Sequence, residues 1–209
     1  MSANQELNNQ ITEIVTRMSA LSAARDTAVN QGRSIVRYSA NAIRSLHRGE
    51  KADDLLAEAK VLLDQVVADA APYPSVYWAG YTQDAMKEYA EAVITRAMLA
   101  DEAIPGPDEI GVEDTAWLNG LAEAASELRR DTLDALRHDD VELAEKLLST
   151  MDLVYGLLVT IDFPDSITGG LRRTTDQFRG VLERTRGDVT MSVRQSRLEK
   201  ALKAAEREF

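Results

Sequence analysis

Apolar residues recur at helical spacing from the start of the chain. Leu7, Ile11, Ile14, Val15, Met18, Leu21, Val29, Ile35, Val36, Ala40, Ile43 and Leu46 follow a period of three to four, which predicts one long helix over 4–48 closed by Gly49. A second helix is predicted over 51–70, stopped by Pro72 and Pro74, since proline lacks the amide proton a helix needs. Further helices are predicted over about 75–101, 113–138 and 140–161, and from about 165 to the C-terminus, with Gly169, Gly170, Gly180 and Gly187 as weak points in the last. The stretch IPGPDEIG, with Pro105 and Pro107, reads as a loop. Strand-like alternation, repeats and low-complexity tracts are all missing from the pattern. The expectation is an all-α antiparallel bundle of about six to seven long helices, forming a single domain over 1–209.

Two predicted neighbours carry paired glutamates. Glu88 and Glu91 lie three apart, and Glu123 and Glu127 lie four apart, so each pair shares one helix face. The short connection 102–112 predicts that the two helices run antiparallel. Counting along each helix from that connection, at about 1.5 Å per residue, places Glu88 level with Glu127 and Glu91 level with Glu123. If the pairs face each other, four carboxylates converge and repel unless a hard cation joins them. The alternative is a solvated face, which normally carries basic partners four residues on. Here Glu123 meets Glu127 and Glu127 meets Asp131, both like-charge pairs that cost helix stability. Lys87–Glu91 and Glu127–Arg130 are the local compensations. Ala116, Asn119 and Gly120 continue the second face, making it small and open rather than apolar.

Composition narrows the chemistry. The chain has no cysteine, which excludes disulfides and thiolate metal sites. Its two histidines, His47 and His138, form no Glu-x-x-His motif, which disfavours a di-iron bundle. All-carboxylate ligation suits Mg²⁺ or Mn²⁺, ions that clamp phosphate oxygens and activate water for phosphodiester cleavage. A carboxylate free of the metal would orient or deprotonate that water. Phosphate-binding loops, serine-nucleophile motifs and zinc spacings are absent. Without an N-terminal signal pattern or an apolar run near 18 residues, a soluble cytoplasmic protein with no membrane partner is expected.

The formal charge is −11 and its distribution is uneven. Residues 1–48 carry six arginines against three acidic residues, and residues 165–209 carry ten basic against seven acidic, so each end is +3 and the middle is −17. Arg33, Arg37, Arg44 and Arg48 share a helix face, and Arg172, Arg179 and Arg186 recur every seven residues beside Arg173. Such stripes suit either a phosphate backbone or ion pairs with the acidic middle. Tyr73, Tyr77, Trp78 and Tyr81 form an aromatic cluster better suited to a core or an oligomer contact than to base stacking.

Four segments, RSIVRYSANAIRSLHR (33–48), EYAEAV (88–93), LNGLAEAASELRR (118–130) and GGLRRTTDQFRGVLERTRGD (169–188), in this order and separation, resemble the translin family over nearly the whole chain. The similarity is to its archaeal members and to translin-associated factor X (Trax). It implies an all-α fold of about seven helices, assembly into a hollow, typically octameric homo-oligomeric shell, and binding of single-stranded RNA or single-stranded DNA. It also implies a Mg²⁺-dependent endoribonuclease of the Trax type, whose interior carboxylates fall on Glu88, Glu91, Glu123 and Glu127. Trax has Asp where Glu123 stands here. Two rivals remain: a translin-like oligomer that binds nucleic acid without cutting it, and an all-α nucleotide pyrophosphohydrolase. The latter fits poorly, because the second acidic pair begins 32 residues after Glu91.

Overall fold

Apolar periodicity becomes helix along almost the full length of the computed structural model, which describes residues 3–206. The described residues hold six long helices: α1 (Ala3–Leu46), α2 (Asp53–Ala70), α4 (Gly80–Leu99), α6 (Asp114–Arg137), α7 (Val141–Leu158) and α9 (Leu171–Glu206). Three single turns lie between them: α3 (Pro74–Tyr77), α5 (Pro107–Ile110) and α8 (Asp165–Thr168). The all-α expectation holds, with no strand among the described residues. The predicted third helix is broken at Ala79, whose extended backbone (ψ 147°) separates α3 from α4. The predicted last helix begins only after Gly169 and Gly170, which take left-handed φ values of 61° and 86° that favour glycine. Gly180 and Gly187 sit inside α9 without interrupting it, and its predicted end at 207–209 lies outside the described residues.

The helices form two groups of three. In one, α2 packs between the directions of α1 and α4, and Gln31–Gln65 and Arg96–Asp53 hydrogen bonds show it running opposite to both. In the other, α7 turns back along α6 after Asp139 (φ 59°) and a cap in which Asp140 accepts from the Leu143 amide at 3.0 Å. The α9 helix then runs with α6, since Asn119 meets Thr174 and Arg129 meets Thr185 and Asp188.

The two groups meet where α4 lies against α6, and these helices are parallel, not antiparallel. Tyr77 donates to Glu113 at 2.5 Å and Lys87 donates to Glu123 at 2.9 Å, so contacts advance in the same sense along both chains. The segment 100–113 therefore runs back along the bundle. An α4 of 20 residues is about 30 Å long, well within reach of that segment, since each extended residue spans about 3.3 Å. The Trp117 indole pins the return by donating to the Pro105 carbonyl at 2.9 Å.

Gly120 sets how closely α4 and α6 approach. A Cβ there would lie 2.9 Å from the Lys87 carbonyl oxygen, 3.0 Å from the Ala90 Cβ and 3.0 Å from the Glu91 nitrogen. Ala85, Ala90, Ala116 and Ala124 are buried around it. The face of Ala116, Asn119 and Gly120 is thus closed rather than open, Gly120 by α4 and Asn119 by α8 and α9.

The first half of α1 departs from the simplest reading of its apolar period. Leu7, Ile11, Ile14, Val15, Met18 and Leu21 are exposed, and the helix enters the core only from Ala28 onward. It projects beyond the end of the bundle where α4 and α6 begin, whereas the last part of α9, with exposed Met191, Leu198 and Leu202, projects from the opposite end.

Gly120→Ala should force α4 and α6 apart and destabilise the protein by about 1–3 kcal/mol, as overpacking of a tight contact does. Denaturant titration of both proteins measures it, and unchanged stability would contradict the assigned contact.

Candidate metal centre

The parallel register brings Glu88 and Glu91 of α4 beside Glu123 of α6. Each offers one carboxylate oxygen, and the three oxygens lie within 4.8 Å of one another. Glu91 is buried, with 9 % of its surface exposed, while Glu88 and Glu123 are half-buried. The Glu91 carboxyl is pushed up to about 8, first by burial and then by the negative charges of Glu123, Glu88 and Glu127. A buried oxygen donor repelled by three neighbouring carboxylates is a setting that a divalent cation relieves. The donor set of hard oxygens fits Mg²⁺ or Mn²⁺.

Glu127 stands apart from this trio. Its Oε2 lies 2.7 Å from His47 Nε2, and His47 Nδ1 lies 2.8 Å from Asp131 Oδ2. The His47 side chain is 2 % exposed, so α1 ends in an imidazole clamped between two carboxylates of α6. Hydrogen bonds that His47 donates to Asp131 and then to Glu127 raise its pKa to about 9, against the effect of burial. The charged imidazolium resolves the like-charge pair Glu127–Asp131. The unbalanced pair was itself a sequence signal that a cation from elsewhere must reach α6, and His47 was one of only two histidines able to answer it.

Lys87 also acts differently from its expected role. Its ammonium lies 2.8 Å from Glu123 Oε2 and 3.3 Å from Glu88 Oε1, spanning α4 and α6, and it forms no ion pair with Glu91 among the described residues. Its side chain borders a cleft of about 170 Å³ that Gln83, Asp84, Thr115, Glu123 and Thr174 also line. Beneath that cleft the buried Asn119 donates to the Thr115 and Thr168 carbonyls at 2.8 and 2.9 Å and accepts from the Thr174 hydroxyl at 2.8 Å. It ties α8 and α9 to the helix that carries Glu123.

All eight arginines singled out from sequence are exposed. Arg33, Arg37 and Arg44 lie on the later part of α1, which packs on α2 and α4, Arg48 lies in the turn just after it, and Arg172, Arg173, Arg179 and Arg186 lie on α9, which packs on α6 and α7. Arg48 pairs with Glu50 at 2.7 Å, and Arg186 pairs with Asp152 of the acidic middle. Arg44 donates to Asn41, and Arg37 lies over the Tyr38 ring, 5.7 Å from its centroid. Arg33, Arg37, Arg172, Arg173 and Arg179 form no ion pair with the described residues. Of the aromatic cluster, Tyr73, Tyr77 and Tyr81 pack against the core, while Trp78 is 60 % exposed and meets Tyr77 edge-on.

The fold with this centre matches solved structures along most of its length. AfC3PO, an archaeal C3PO/translin-family protein solved in complex with duplex RNA, is 32 % identical with a TM-score of 0.82, over 90 % of this chain and 98 % of its own. The chain belongs to the translin family. A second AfC3PO structure is 33 % identical with a TM-score of 0.81, over 90 % of this chain and 99 % of its own. The fungal family member NeC3PO, at 22 % identity, shares the translin fold with a TM-score of 0.77, over 92 % of this chain and 98 % of its own. An uncharacterized protein of Methanocaldococcus jannaschii is 27 % identical over 204 residues, covering 96 % of this chain and 89 % of that protein. No family model matches the chain. Among the described residues no helix is long and apolar enough to cross a membrane.

Glu91 and His47 both make stability fall as pH rises through the neutral range. Glu91 holds its proton more tightly when folded, so its contribution is lost between the ordinary 4.5 and about 8. His47 also has a raised folded-state pKa, so its contribution is complete below 6.5 and lost as pH passes about 9. In EDTA, denaturation midpoints should therefore fall from pH 6 to pH 9. Glu91→Gln should flatten the portion up to about pH 8, and His47→Gln should cost about 2–3 kcal/mol at pH 6. A wild-type midpoint that rises over this range would contradict both assignments.

Proposed function

We propose that this translin-family protein is a divalent-metal-dependent endoribonuclease acting on single-stranded RNA. The observation that carries the reading is the convergence of Glu88, Glu91 and Glu123 from two parallel helices, with Glu91 buried among like charges. Glu88, Glu91 and Glu123 would hold Mg²⁺ or Mn²⁺, which would supply charge neutralisation at a phosphodiester and acidify water. Glu127 lies beside the trio, oriented by the His47 imidazolium, and is the carboxylate left to take up a proton from water. Arg33, Arg37, Arg172, Arg173 and Arg179 hold the backbone of the strand; Arg44, Arg48 and Arg186 join them by exchanging their present partners for phosphate. Because AfC3PO was solved with duplex RNA, single-stranded and duplex RNA are both tested as substrates, with single-stranded DNA as competitor. With Mg²⁺, wild type should cleave single-stranded RNA, and Glu91→Gln and Glu123→Ala should lose roughly a hundredfold or more of the rate. Equal cleavage by all three proteins would reject the site.

A second reading is a translin-like protein that binds RNA without cutting it. Lys87 spanning Glu88 and Glu123, and Glu127 turned to His47, are the observations that favour it. Intact RNA after incubation with Mg²⁺ or Mn²⁺, together with a salt-sensitive gel shift, would select this reading.

Assembly into a homo-oligomeric shell, octamer-like as in the family, belongs to the same proposal. The exposed α1 residues Leu7, Ile11, Ile14, Met18 and Leu21 follow alternating spacings of four and three, the seam pattern of helices that pair with other helices. Light scattering should give a mass several times that of one chain, and Ile14→Asp with Leu21→Asp should lower it. A monomer at micromolar concentration would contradict the proposal.

A further inference from the structure

Among the described residues, Lys87 is the one cation paired with the convergent trio Glu88, Glu91 and Glu123. Its ammonium reaches both oxygens of Glu123, at 2.9 and 2.8 Å, and lies 3.3 Å from Glu88. Those are two of the three residues whose oxygens converge. An ammonium is a compact point charge on a flexible stem, so it can stand between carboxylates as a metal does and can also leave. The stem of Lys87 runs along the border of the cleft lined by Gln83, Asp84, Thr115 and Thr174, which gives the head an aqueous place to go. The third carboxylate, Glu91, makes no ion pair with Lys87, so the ammonium balances only part of the cluster.

We propose that Lys87 is a built-in counter-cation that competes with the divalent metal: it spans Glu88 and Glu123 until the metal enters, and is then displaced into the cleft. Lys87 is thus a positioning residue that sets the metal concentration at which the centre loads. It keeps Glu88 and Glu123 facing each other across α4 and α6 beforehand, so the two helices do not spread under carboxylate repulsion. The inference rests on the metal-site reading above.

The test combines Mn²⁺ titration with amine labelling of the full chain. Lys87→Met keeps the apolar stem and removes the charge, and it should bind Mn²⁺ about tenfold more tightly than wild type, since one cation no longer opposes the metal. Lys87→Arg, which keeps the charge, should stay near the wild-type affinity. In wild type, acetylation of Lys87 by an amine-reactive ester, followed by mass spectrometry, should become faster when Mn²⁺ is added. Equal or weaker Mn²⁺ binding by Lys87→Met, or labelling indifferent to Mn²⁺ in a wild type that binds it, overturns the role of Lys87 and leaves the metal site standing. Wild type and Lys87→Met both failing to bind Mn²⁺ overturns both. Circular dichroism of each variant confirms that it is folded.

Discussion

The close parallel contact of α4 and α6 at Gly120 is the constraint on which the rest of the structure depends. Without a side chain at that position, the Lys87 carbonyl and the Glu91 amide come within about 3 Å of where a Cβ would stand. One turn further along α6, Glu123 is carried against Glu88 and Glu91. Parallel direction matters as much as distance, because it fixes which carboxylates share a height. The long return of segment 100–113 makes that direction possible, with Trp117 bonded to Pro105 within it and Tyr77 to Glu113 at its end.

Bringing carboxylates together has an electrostatic cost, and the chain offsets it with cations drawn from different elements. Lys87 balances Glu88 and Glu123 from within α4. His47 reaches from the end of α1 to balance Glu127 and Asp131 on α6, and so joins the two helical groups across the centre. Glu91 forms no ion pair among the described residues, and burial followed by the charges of Glu123, Glu88 and Glu127 raises its proton affinity. The position that the protein leaves unbalanced is also the most buried of the three. A hydrated divalent ion that binds all three oxygens would remove the repulsion that the two built-in cations only share out. The same logic separates the four glutamates: the carboxylate oxygens of three converge, and the fourth is held beside them by an imidazolium.

Much of this was legible in the sequence. Apolar periodicity located all six long helices, because a core face recurs with the pitch of the helix. The paired spacing of Glu88 and Glu91, and of Glu123 and Glu127, marked all four as candidates, and the structure converges the first three. Helix direction was not. Pro105 and Pro107 mark a loop but say nothing of whether it turns tightly or runs back along the bundle, and the antiparallel expectation paired Glu88 with Glu127 where the structure pairs it with Glu123. Long-range partners were likewise hidden: nothing local to His47 announces Asp131, which is 84 residues away. The apolar residues of early α1 predicted a helix, but periodicity does not say which molecule buries its apolar face.

The central claim is that the three carboxylates form one divalent-cation site. Anomalous diffraction from crystals soaked in Mn²⁺ tests it most directly. A single strong peak within about 2.2 Å of oxygens from Glu88, Glu91 and Glu123 together is the predicted result. A soaked crystal with no peak at that position, with Lys87 still bonded to Glu123 and Glu88, would contradict the account.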